Sequence, residues 1–169
     1  MNIKFVRMFS VLLIVILISS FVIQPASAAS SCSCLKYFQN NKGLPSTGDA
    51  NFSAYKYADW LSKNGYNVSY MTPSKTFIGP GQFSGAGIII NPGVLGSNST
   101  HGHIGVVIEV KFNSSKSNWT IYFKDANSNY SYMPGYNGTR TESGCSNVGY
   151  RQITTSSLSG VSFFKWSKK

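Results

Sequence analysis

Gly102-His103-Ile104-Gly105-Val106-Val107-Ile108-Glu109-Val110, GHIGVVIEV, reads as a β-strand that begins on a histidine. Alternation puts Ile104, Val106, Ile108 and Val110 on one face and His103, Gly105, Val107 and Glu109 on the other. His103 therefore points away from the aliphatic face, beside a glycine that leaves room for another element to approach.

Upstream of this strand the pattern is helical. Residues 34–41 (CLKYFQNN) read as a short helix, with Ser31 or Ser33 as N-cap and a stop at Asn41-Lys42-Gly43. Between Asn51 and Lys63, Phe52, Tyr55, Ala58 and Leu61 recur every three residues, and Asn64-Gly65 supplies a left-handed stop. Residues 67–70 are a short extended piece, residues 72–85 a loop rich in Pro and Gly, and residues 86–90 an apolar strand. Downstream, Trp119, Ile121, Phe123 and Asp125 alternate on one side of a further strand, and residues 148–153 and 161–166 are two more. Helices first and an antiparallel meander afterwards predict an α+β fold with the helices packed on one side of the sheet. Trp60, Trp119 and Trp166 are assigned to packing.

The chain opens with Lys4 and Arg7, an apolar block from Met8 to Ile23 and a small-residue exit at Ala26-Ser27-Ala28. These are the parts of a secretory signal peptide, expected over residues 1–28, leaving 29–169 as a single domain. The other reading of the apolar block is an uncleaved membrane anchor. The formal charge is +10 overall; without Lys4 and Arg7, 13 basic and 5 acidic residues remain, a balance of +8. That bias favours anionic polymers. The basic residues are scattered rather than gathered on one element, so a cell wall or membrane surface is expected and nucleic acid is not. Seven Asn-x-Ser/Thr sequons, at Asn51, Asn67, Asn98, Asn113, Asn118, Asn129 and Asn137, are candidate N-glycosylation sites, although Asn, Ser and Thr are common enough here for several to arise by chance.

Chemistry is suggested by a cysteine at the head of a helix, a histidine at the head of a strand and a polar residue on the next strand. These are the parts of a Cys-His-acid nucleophilic site. A free thiol titrates near 8.5. A helix N-terminus and a neighbouring imidazolium both favour the thiolate, and a third residue fixes the imidazole.

Cys34-Leu35-Lys36-Tyr37-Phe38, then Ala58-Asp59-Trp60 and Asn64-Gly65-Tyr66, then Pro73, Gly87-Ile88-Ile89-Ile90, Gly102-His103-Ile104-Gly105-Val106-Val107 and Asp125-Ala126-Asn127 together resemble the CHAP domain. That family comprises cysteine, histidine-dependent amidohydrolases and peptidases of the papain-like, NlpC/P60-like class. The resemblance runs from about Cys34 to Phe164 and implies a papain-like fold, a secreted monomeric hydrolase and a peptidoglycan amide bond as substrate, cut as an N-acetylmuramoyl-L-alanine amidase or an endopeptidase. It implies Cys34 as nucleophile, His103 as general base and Asp125 or Asn127 as the residue that orients His103. Where relatives have Glu, Asp125 is shorter by one methylene, and Ser33 stands where many carry Gln. The backbone N–H of Cys34 is one oxyanion donor, and the second is unassigned. With 5 acidic residues in the chain there is no acidic calcium loop, and no cofactor or metal is expected.

If Cys34 is the nucleophile, Cys32 and Cys145 remain to form a disulfide. Two other readings stay open. A non-catalytic secreted binding or defence protein would have Cys34 blocked or turned away from His103. A metal-binding protein would use Cys32 and Cys34 with His101 and His103, each pair one residue apart.

Overall fold

The computed structural model describes residues 32–169. The expected leader and its cleavage point lie outside the described residues. Helix α1 spans Cys34–Lys42. Of the two candidate caps, Ser33 takes the role: its backbone is extended and its hydroxyl accepts the Lys36 N–H at 3.2 Å. Gly43 ends the helix in the left-handed conformation, φ 60°. The Asn51–Lys63 helix is shorter than the periodicity predicts. A 3-10 turn over Ala54–Lys56 leads into α2, Tyr57–Lys63.

Seven strands follow: β1 Tyr66–Met71, β2 Gly87–Ile90, β3 His103–Asn113, β4 Asn118–Ala126, β5 Arg140–Glu142, β6 Cys145–Thr155 and β7 Val161–Lys168. They form one antiparallel sheet in the order β1-β7-β2-β3-β4-β6-β5. The architecture is α+β, but the sheet is not a plain meander. The last strand inserts between β1 and β2, pairing with both, so the last strand lies beside the first.

One face of the sheet carries the helices. Leu35, Tyr37 and Phe38 of α1 and Tyr57, Ala58 and Leu61 of α2 pack with Ile89, Ile104, Val106 and Phe164. The opposite face is also dry, because the loop through Ile78 and Phe83 covers Ile88, Ile90, Val107, Ile121 and Phe163. Burying both faces explains why β2 is apolar at every position rather than alternating.

The β3 face assignment needs one correction. The β3–β4 register slips between Val107 and Glu109, so Ile108 is a bulge residue. Up to Val107 the predicted alternation holds: Ile104 and Val106 face the helices, and Val107 faces the other core. The extra residue inverts the phase, and Val110 joins Val107 rather than Ile104.

Among the described residues no helix is long and apolar enough to cross a membrane.

Candidate active site

Cys34 is the first residue of α1 and the free cysteine of the three, half-buried. The first four N–H groups of a helix have no acceptor within it, so those of the first turn present partial positive charge where the thiol sits. Two attachments hold this helix end. Cys32 is joined to Cys145 at the start of β6, with Cα atoms 5.5 Å apart. Asn147 then clamps the Cys32 backbone: its Oδ1 accepts the Cys32 N–H at 3.1 Å and its Nδ2 donates to the Cys32 carbonyl at 3.0 Å.

Farther along α1, Tyr37 donates to Glu142 Oε1 at 3.0 Å, Asn41 donates to the same oxygen at 2.9 Å, and Asn40 donates to the Ser143 carbonyl at 3.0 Å. The β5–β6 hairpin thus grips α1 along its length. Lys124 pairs with Glu142. Burial would raise the Glu142 carboxyl, but the Lys124 and Tyr37 hydrogen bonds and nearby positive charge hold it below its ordinary value.

His103 opens β3, immediately after Gly102, whose φ is 64°. A Cβ at Gly102 would stand 2.6 Å from the Ile90 carbonyl oxygen, so the turn that delivers the histidine admits only glycine. The imidazole is 5% exposed. Its Nε2 lies 2.6 Å from Oδ2 of Asp125, which is 0% exposed. Nε2 is therefore engaged with Asp125, and Cys34 lines the same cleft as His103 and acts on it electrostatically. Burial lowers the imidazole pKa, but the Cys34 charge and the Asp125 hydrogen bond outweigh it and raise it to about 10.

The two candidate orienting residues are separated by this geometry. Asp125 contacts His103. Asn127 is exposed, has a left-handed backbone, φ 58°, and sits at the rim of the cleft.

Behind Asp125 lies a residue that the sequence reading missed. Arg151, 4% exposed, donates from Nε toward Asp125 Oδ1 at 3.4 Å and from Nη1 to the Tyr130 carbonyl at 3.0 Å, and its guanidinium stacks 4.1 Å from the Tyr132 ring centre. Gly149 makes room: a Cβ there would come within 2.5–2.8 Å of the guanidinium. The signal was available in the β6 alternation, since Gly149, Arg151 and Ile153 share a face and an arginine on an inward face demands a buried partner.

Cys34 and His103 open onto a cleft of about 770 Å3 whose wall includes Lys36, Asp49, Asn98 and Tyr130. His101 lines its outer edge, with Nδ1 3.4 Å from Ser53 Oγ. The Cys2His2 metal reading is overturned, because Cys32 spends its sulfur on Cys145 and leaves one thiol where two thiolates are needed. Of the sequons, Asn51, Asn67, Asn98, Asn113, Asn129 and Asn137 are exposed and Asn118, inside β4, is half-buried. Asn51, Asn98 and Asn129 line the cleft itself.

No family model matches the chain. No curated protein matches it either. Among solved structures it is similar to an N-acetylmuramoyl-L-alanine amidase from Staphylococcus aureus, at 16% identity over 81% of this chain, with a TM-score of 0.40. The match spans 30% of that chain.

Proposed function

We propose that this chain is a secreted cysteine hydrolase that cleaves an amide bond of peptidoglycan or a related anionic wall polymer, the activity implied by its resemblance to the CHAP domain. The observation that carries the chemistry is His103, bonded through Nε2 to a fully buried Asp125, sharing one cleft with the free Cys34 at the head of α1. The Cys34 thiolate attacks the carbonyl carbon and His103, as imidazolium, protonates the leaving nitrogen. Water then enters: His103 takes a proton from it, the hydroxide attacks the thioester, and the thiolate departs. Asp125 holds the ring and its charge throughout. The charge of +8 on residues 29–169 supports an anionic target and makes association salt-sensitive.

The test is mass spectrometry of fragments released from defined peptidoglycan. The wild-type chain is expected to release products with a new amine terminus, whose identity separates amidase from endopeptidase action. Cys34→Ala is expected to release none while keeping the wild-type circular-dichroism spectrum; full release by that variant removes the mechanism.

A further inference from the structure

Three buried side-chain atoms among the described residues lack a hydrogen-bond partner: Gln39 Nε2, Ser128 Oγ and Tyr130 Oη. All three residues line the cleft that holds Cys34 and His103. An unmade hydrogen bond at a buried polar atom is costly, so each such atom calls for a partner from outside the chain or for a functional role.

Of the three, Tyr130 stands in the electrostatic reach of the nucleophile. Its hydroxyl is held well above the ordinary tyrosine value, first by burial and then by the negative charges of Asp125 and Cys34. It therefore remains a neutral O–H donor at any pH where the protein works. Gln39 instead neighbours the Tyr57 hydroxyl, one turn and more down α1 from Cys34. The Tyr130 ring is fixed on two sides, edge-on to His103 with centroids 5.3 Å apart and edge-on to Phe123 at 5.5 Å. Its backbone is fixed by Arg151 Nη1 on the carbonyl.

We propose that Tyr130 is a catalytic residue, the side-chain donor that, with the first-turn N–H of Cys34, hydrogen-bonds the oxyanion formed when Cys34 attacks. This rests on the hydrolase reading above. In the step, the carbon–sulfur bond forms as the carbonyl π pair moves onto oxygen, and Tyr130 Oη–H and Cys34 N–H donate to that oxygen. On collapse the pair returns, the carbon–nitrogen bond breaks and the His103 proton goes to the leaving nitrogen. Tyr130 keeps its own proton throughout, so no charge is left over.

Tyr130→Phe removes the hydroxyl and leaves the ring. Three measurements separate the roles: kcat and KM on peptidoglycan, the rate of Cys34 alkylation by iodoacetamide, and the affinity of a peptide aldehyde ending in D-alaninal. The aldehyde forms a hemithioacetal, whose oxygen occupies the oxyanion position, whereas alkylation develops no oxyanion. The expected result is a fall in kcat of roughly a hundredfold or more with KM unchanged. Aldehyde affinity should weaken alongside it, with alkylation rate and melting temperature unaltered. Retained kcat overturns the proposal, as does a parallel loss of alkylation, which would make Tyr130 a support for His103 alone. If the wild-type chain releases no fragments, the parent reading fails by itself, and the aldehyde comparison still decides: equal affinity for wild type and Tyr130→Phe overturns the donor role.

Discussion

Arg151 and Asp125 meet over Gly149, the guanidinium Nε standing 3.4 Å from the one carboxylate oxygen that His103 does not use. Asp125 is thus held from both sides, and its position, which sets that of His103, depends on a residue with no path to substrate.

Arg151→Met should unfold more easily by about 3–5 kcal/mol in urea titration, because it leaves a buried carboxylate with one partner fewer. Gly149→Ala is the finer probe. Its methyl displaces the guanidinium without touching the chemistry of either charged group, so kcat should drop on the order of a hundredfold while the urea midpoint moves much less. Equal proportional losses in both variants would assign Arg151 to stability alone.

The alkaline limb of stability should belong to His103. Its folded pKa of about 10 lies above its ordinary 6.5, so its contribution is complete below 6.5 and lost as pH climbs through 10. Urea midpoints measured across that window should fall in the wild type and stay flatter in His103→Gln. In Cys34→Ala the fall should move to lower pH, since Asp125 alone then opposes the effect of burial.

Glu142 should govern the acid limb. Its carboxyl is held below the ordinary value, so its contribution is present above that value and disappears as pH falls through the lowered one. Protonation cancels the Lys124 pairing and weakens the Tyr37 and Asn41 bonds that seat α1. Glu142→Gln is expected to abolish this acid dependence in circular-dichroism titrations and to lower kcat modestly, because α1, which carries Cys34, is then less firmly held.

Removing the disulfide with Cys145→Ser should destabilise by up to about 4.7 kcal/mol, the chain-entropy value for a loop of this order, the sequence separation being 113. The activity loss should exceed what partial unfolding explains, since the bridge and Asn147 together fix the residue two places before Cys34. Calorimetry with parallel kinetics checks both.

Much of this was legible in the sequence because it rests on local rules. The α1 cap and stop and the strand that starts at His103 follow from neighbouring residues. The insertion of β7 between β1 and β2 does not, because strand order is set by which edges remain open once the first hairpins pair. The bulge at Ile108 is equally silent: GVVIEV alternates as well without it, and only the β4 partner reveals the slipped register. β5 went unread because three residues, Arg-Thr-Glu, carry no periodicity. Between Asp125 and Asn127 the residues alone offered no choice. The choice follows from where β4 ends: Asp125 lies inside it on the His103 face, and Asn127 lies past its end with a left-handed backbone.

The cysteines of the Ser33-flanked pair impose opposite demands on whoever handles the protein. A reductant that keeps Cys34 from oxidising also opens the bridge at Cys32, unless that bridge is the harder of the two to reduce. Activity plotted against thiol concentration should therefore rise and then fall. The width of its plateau measures how far apart in redox potential two sulfurs separated by one serine have been set.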